Sequence, residues 1–341
     1  IIEPRFKNIR SDNYTADANS KKSATILEMP IEMLEYIFDY LDVDDLVAVG
    51  KTCKRMQQIA DHCYQQNYSG LWPYFEKTLS GDGMVYILRF GESYRVDVEH
   101  FIPVFDKLSI LRCDKDRTEV FYKFVEQKSE FCQLKHLSIS HQDLTDCQAM
   151  ESVSDVLIKL EYLQLIYCEM NGEFLESLLI RAPNMKRLSF HQNVMGNEWL
   201  SRCYPTLQHC EISLDSFVPI TKFLKLNPNI QKFGTDLEKL SESMHLMKAD
   251  EIKLEELAIL INDKYFVNEL HYLPLWQLLN QHHQLGIYKR LNLVYECVVT
   301  KLNQKAVDRI TNLTGLNNAH IAGKTFFLGV SVRVFLNEIS I

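Results

Sequence analysis

Leu160-Glu161-Tyr162-Leu163-Gln164-Leu165-Ile166-Tyr167-Cys168 places Leu163 and Leu165 two residues apart between outward candidates, the mark of a strand with one buried face, and reaches a thiol three residues later. Outward from it, the same apolar-x-x-apolar-x-apolar frame recurs. Upstream stand Phe105/Leu108/Ile110 and Leu134/Leu137/Ile139; downstream stand Met185/Leu188/Phe190 and Leu207/Cys210/Ile212. The frame continues less regularly through Ile230/Phe233/Thr235, Leu254/Leu257/Ile259 and Tyr288/Leu291/Leu293, with a ninth at Leu313/Leu316/Asn318. Its third positions advance by 29, 26, 25, 22, 23, 24, 34 and 25 residues, a mean of 26. A repeat of that length holds one strand and one return segment, and its apolar face is covered only by stacking on its neighbours.

Two further positions keep the period. Three residues past each third apolar site stand Cys113, Gln142, Cys168, Asn193, Asp215, Glu238, Asn262 and Glu296, each polar or a thiol. Pro183, Pro205 and Pro228 lie two residues before their frames, where a proline ends a helix and launches an extended segment. Glu173–Arg181 and Val218–Lys225 are expected helices in the gaps. The pattern resembles leucine-rich repeats, in which a small Asn or Cys side chain bonds backbone groups of neighbouring turns; Glu238 and Glu296 depart from it. The resemblance implies an α/β solenoid over 105–341, with a concave parallel sheet and convex helices. The interval of 34 places an extra or longer helix about Tyr265–Gly286, and Thr325–Phe335, with Val330, Val332 and Val334 alternating, reads as a closing strand. Residues 71–104, with Trp72, Pro73, Tyr74 and Phe75, are expected to be a connector and N-terminal cap.

Upstream the composition changes. Residues 1–25 hold few apolar side chains, too few to offset ordering entropy, and are expected to be a flexible tail. Between Ile26 and Val49 sixteen of twenty-four residues are apolar. Pro30 stands where a proline starts a helix, and from Ile31 to Leu41 only Glu32, Glu35 and Asp39 are polar, at spacings that share one strip. The rest of that helix seeks burial over most of its circumference. Asp42-Val43-Asp44-Asp45 supplies capping carboxylates for a second helix ending at Gly50, and Thr52 is placed to cap a third, carrying Cys53, Met56, Ala60 and Cys63. Three helices in about 45 residues bury too little alone, so they dock either on a partner or on the rest of the chain.

Ile26-Leu27-Glu28-Met29-Pro30-Ile31-Glu32-Met33-Leu34, Ile37-Phe38-Asp39-Tyr40-Leu41, Asp45-Leu46 and Cys53-Lys54 resemble an F-box, covering 26–70 with its flanks. The resemblance implies a Skp-type adaptor as partner and, through it, a cullin. Carried over by position, Met29, Pro30, Ile31, Leu34, Ile37, Phe38, Leu41 and Leu46 are the adaptor-binding candidates, with Cys53 beside them. Met29 stands where the family has Leu, Thr52 where it has Val and Met56 where it has Trp; the last replaces a rigid contact with a flexible thioether. Together the two resemblances give a short three-helix F-box module followed by a leucine-rich-repeat solenoid. The implied function is that of a substrate-receptor subunit of an SCF-type ubiquitin ligase, cytoplasmic or nuclear. The alternative is a non-catalytic scaffold that does not engage the ligase.

Composition agrees with a chain of this kind. Lys and Arg number 37 against 45 Asp and Glu, a net charge of −8, so no global positive field recruits nucleic acid or anionic lipid. No run approaches the ~18 apolar residues of a membrane span, and 1–25 carry Arg5, Lys7, Arg10, Lys21 and Lys22 without the apolar core of a secretory leader. Nine cysteines without a CxxC are expected to be reduced thiols.

No G-x-S-x-G, P-loop, GxGxxG or H-E-x-x-H is present. His282-His283, Cys132 with His136, and Asp42/Asp44/Asp45 lack the companions of a metal site, so no metal, cofactor or catalytic residue is expected. Strand residues between the apolar sites line the concave face, which offers target-binding candidates: His136, Tyr162, Gln164, Arg187, His191, His209, Glu211, Lys232, Asp236 and Arg290. Arg187, His191 and His209 form a mild basic spot suited to an acidic or phosphorylated peptide; the alternative is a solvated sheet face with scattered charges.

Overall fold

The computed structural model describes residues 26–77, 83–90, 94–110, 119–145, 154–191, 194–196, 198–213, 220–236, 240, 244–262, 279, 281–282, 284–297, 319–326 and 329–336. The expected tail over 1–25, the ninth frame and most of the expected insertion around 265–286 lie outside these residues. The chain divides into two units, Ile1–Cys63 and Tyr64–Ile341.

In the first unit a 3-10 turn (Ile26–Glu28) precedes α1 (Ile31–Phe38), α2 (Val43–Gly50) and the start of α3 (Lys54–Tyr68). Pro30 sits at the α1 N-terminus as expected, but the helix stops at Phe38, and Tyr40 and Leu41 continue it as turns. Asp42 Oδ1 accepts the Asp45 N–H at 2.9 Å and starts α2. Thr52, expected to cap α3, instead donates its hydroxyl to the Val49 carbonyl at 2.7 Å, closing α2. Leu34, Phe38, Val43, Leu46, Met56, Ile59, Ala60 and Cys63 are buried.

The second unit is built on a 13-stranded sheet. Its parallel run is β1 (Tyr74–Lys77), β4 (Lys107–Ile110), β5 (His136–Ser140), β6 (Tyr162–Ile166), β8 (Arg187–His191), β10 (His209–Ser213), β11 (Lys232–Asp236), β12 (Leu254–Asn262) and β13 (Tyr288–Cys297). From β4 to β13 the pairing is Leu108↔Leu137↔Leu163↔Leu188↔Cys210↔Phe233↔Leu257↔Leu291, which is the alignment of the apolar frames. The described side chains of the three frame positions are buried. A shift of one residue at any strand would turn that strand's apolar set outward.

Behind the sheet run α4 (Glu119–Glu126), α5 (Ser154–Leu157), α6 (Gly172–Arg181) and α7 (Ile220–Leu226), and a short two-stranded ladder pairs β7 (Met170–Asn171) with β9 (Val194–Met195). Asn171 caps α6 by accepting the Phe174 N–H at 2.6 Å, and Phe174, Leu175, Leu178 and Leu179 form its buried face. Between β8 and β10 the helix shrinks to a 3-10 turn, Glu198–Ser201, and the fully buried Trp199 fills the space between Phe190 and Phe223.

Side chains tie each turn to the one before. Asn184 Nδ2 donates to the Ile158 carbonyl at 2.7 Å, Thr206 Oγ1 to Pro183 at 3.0 Å and Asn229 Nδ2 to Pro205 at 2.7 Å, so the residue after each proline reaches back one repeat. Cys168 donates its thiol to the Ile139 carbonyl of the preceding strand at 3.4 Å, and burial pushes that thiol up to about 11. Gln142 instead bonds Ser140 of its own strand. Cys113, Asn193, Asp215 and Glu238 lie outside the described residues.

The sheet is longer than the frames. Residues 71–104 supply β1, then β2 (Met84–Phe90) and β3 (Tyr94–Asp97), which pair antiparallel and extend the same sheet. At the other edge the expected closing strand is β15 (Gly329–Leu336), the inner arm of a hairpin, which pairs antiparallel with β13 on one side and with the edge strand β14 (Ala319–Phe326) on the other. Antiparallel strands need only short connections, whereas a parallel addition requires a crossover.

Candidate functional site

Three faces divide α1. Leu34 and Phe38 point inward and are 0% and 1% exposed. Glu32, Glu35 and Asp39 form the polar strip, with His62 Nε2 at 3.6 Å from Glu35 Oε1. The remaining third carries Met33, Tyr36, Ile37 and Tyr40, at i, i+3, i+4 and i+7, with exposures of 50%, 55%, 37% and 73%. Ile26 and Leu27 on the preceding turn and Ile31 at the helix start are about half exposed as well. The Arg55 guanidinium donates to the Leu27 and Met29 carbonyls and fixes that turn. Tyr40 donates to the Tyr36 hydroxyl at 2.9 Å, their rings edge-on at 5.4 Å. Water-exposed apolar side chains in one continuous strip mark a binding surface rather than scattered surface residues.

Of the residues singled out from sequence, Pro30, Ile31, Ile37 and Cys53 are exposed and Met29 and Leu41 half-buried, whereas Leu34, Phe38 and Leu46 are buried and offer a partner no area in this state. Ile26, Leu27, Met33, Tyr36 and Tyr40 lie outside the adaptor-binding candidates; the helical phase of Met33, Tyr36 and Tyr40 with Ile37 is the sequence signal that marks three of them. Met56 is 3% exposed, so its departure from Trp falls on an interior position.

The second surface is the sheet face. Across the strands, Lys107, His136, Tyr162, Arg187, His209, Lys232, Glu256 and Arg290 stand in one row. Gln164 and Glu211 belong to the next row and His191 and Asp236 to a third, so the ten concave-face candidates occupy one face. Arg187 and Arg290 are exposed and the other eight half-buried. Trp72, in the expected connector two residues before β1, stacks on His136 at 6.3 Å and meets Tyr162 edge-on at 6.2 Å. Burial pushes the ionisation of His136 down, favouring the neutral ring. Ser189 donates to Glu211 Oε2 at 3.3 Å, His209 lies 3.3 Å from Glu211 Oε1 and Ser213 donates to Asp236 at 3.0 Å, so the two acids are engaged by their neighbours.

Residues His141 and Tyr167, just past β5 and β6, adopt positive φ values of 56° and 53° and bring their rings to 5.1 Å. The left-handed turn carries the chain from the sheet into the interior at Gln142 and Cys168. Nothing in the sequence marks it, since glycine is the residue expected there.

Among the described residues no group of three His, Cys, Asp or Glu side chains is placed to hold a metal ion, and no helix is long and apolar enough to cross a membrane. What both surfaces can do chemically is hold another molecule by burial and hydrogen bonding.

Residues 26–67 match the family model described as F-box-like. No curated protein matches the chain. The helical segment is therefore an F-box-like domain at residues 26–67, followed by a mixed α/β region with a large parallel sheet.

Proposed function

We propose that this chain is the substrate-receptor subunit of an SCF-type, cullin-based ubiquitin ligase. The F-box-like domain binds a Skp-type adaptor, which carries the cullin, and the region behind it, read as a leucine-rich-repeat solenoid, holds a target protein on its sheet face. The observation that carries the reading is the exposed strip of Met33, Tyr36, Ile37 and Tyr40 inside the matched residues. The aligned register and the proline-marked turn ladder support the repeat reading. No step of bond chemistry is assigned to the chain: it holds a target near a ubiquitin-charged enzyme, and the gain is effective concentration. A ligase subunit of this kind works in the cytoplasm or nucleus.

Co-purification tests it. The full chain, expressed in cells with the proteasome blocked, is expected to bring down adaptor and cullin in stoichiometric amounts. Recovery of target proteins without either one overturns the ligase reading and leaves a plain interaction scaffold.

A further inference from the structure

We infer that the sheet face takes an acidic, extended polypeptide segment laid across the strands, with its anionic groups seated on Lys107, Arg187 and Arg290; this rests on the reading of that face as the target side. The carrying observation is an excess of positive charge in one row, while the acids of the two following rows, Glu211 and Asp236, are engaged by Ser189, His209 and Ser213. In the row just before it, Glu161 and Lys186 pair at 2.8 Å and Glu255 and Lys289 at 2.7 Å, with Asp106 and Lys135 completing three acids against three bases. Cross-strand neighbours of opposite sign are how a sheet neutralises its own surface.

The next row lacks that balance. Its charged members are Lys107, Arg187, Lys232 and Arg290 against the single acid Glu256, in a chain of net charge −8. Lys232 is taken by Glu256 at 3.3 Å. Lys107 donates to the Ser69 carbonyl at 2.6 Å, a neutral acceptor that leaves its charge uncompensated. Arg187 and Arg290 are exposed and form no ion pair with the described residues. Three uncompensated cations in line favour an anionic occupant.

Spacing specifies the occupant further. Adjacent strands lie ~4.8 Å apart, so Lys107 to Arg187 spans ~14 Å and Arg187 to Arg290 ~19 Å. An extended chain rises ~3.3 Å per residue, which sets anionic side chains about four and six residues apart. Trp72, His136 and Tyr162 lie between the first two cations and offer rings against which that stretch of the segment can pack.

The test uses the full chain and fluorescein-labelled eleven-residue peptides of Ser and Gly, read by anisotropy. One carries Glu at its first, fifth and last positions, a second Gln at those positions, a third phosphoserine there, and a twelve-nucleotide oligouridylate is the competitor of another class. The Glu or phosphoserine peptide is expected to bind more tightly than the Gln peptide, with affinity falling as salt rises; which of the two is tighter identifies carboxylate or phosphate as the natural anion. Arg187→Ala and Arg290→Ala are each expected to weaken binding by roughly threefold to fivefold, with far-UV circular dichroism unchanged. Equal binding by the Gln peptide overturns the inference. So do an unchanged affinity in the double variant, no binding of either anionic peptide at ~1 mM, or an oligouridylate that outbinds them all. Adaptor recovery from the same preparation is scored separately, so failure of the acidic track and failure of the ligase reading are told apart.

Discussion

Replacing Met33, Tyr36 and Tyr40 together by Ala separates the outward face of α1 from its inward one. These side chains are 50%, 55% and 73% exposed in the free chain. Complete burial of a side chain of this size contributes ~1.5–3 kcal/mol, and about half of that is still to be gained on docking, so each supplies ~1 kcal/mol of adaptor binding. The triple variant is expected to lose ~3 kcal/mol, roughly 100-fold in Kd. Its fold should persist, because the residues lie on the exposed face and Ala is the best helix former. Leu34→Ala makes the opposite prediction. That side chain is 0% exposed; its truncation costs ~2–5 kcal/mol of stability and removes no docking area, so the fraction that remains folded should bind with near-native affinity. Isothermal titration of purified adaptor into each variant, beside thermal melts, decides. The reasoning fails if the triple variant binds within about threefold of wild type, or if Leu34→Ala loses as much affinity while still folded.

Asn227 is 2% exposed, accepts the Tyr204 N–H at 2.6 Å and donates to the Arg202 carbonyl at 3.0 Å, joining two repeats. Asn227→Leu keeps the volume and leaves both backbone groups unpaired, at a cost of ~2–4 kcal/mol; a melting temperature within ~1 °C of wild type would contradict this. Asp61 has a buried carboxylate oxygen without a hydrogen-bond partner among the described residues, and desolvation pushes its carboxyl up to about 6. An acid whose folded value is raised binds more protons folded than unfolded, so its contribution to stability falls as pH rises from about 4 to 6. Asp61→Asn should therefore raise the melting temperature at pH 7.5 and show a smaller gain near pH 4; an equal gain at both points to another cause.

Several features were legible in the residues themselves. The Leu163/Leu165 frame and its seven relatives fixed the pairing from β4 to β13, because the burial of alternate side chains permits one register. Asp42 and Pro30 announced their helix starts, since capping is a matter of adjacent atoms. The sheet-face candidates share one face for the same reason, as alternation is a property of any strand.

Other features depend on which surfaces meet, and a single strand or helix does not carry that information. A helix as apolar as α1 can turn any of its faces inward; tertiary packing put Leu34 and Phe38 inside and left Met33, Tyr36 and Tyr40 in water. The three partners of Asn227 belong to residues 4 to 25 positions away and come together only when repeats stack. The same stacking matched Glu161 to Lys186 and Lys232 to Glu256 and left Arg187 without an acid among the described residues. Sequence alone thus determined the period, the strand register and the starts of α1 and α2, which arise from neighbours along the chain. Tertiary structure decided which apolar strip stays open and which cations go unpaired, because both depend on distances between segments that only packing sets.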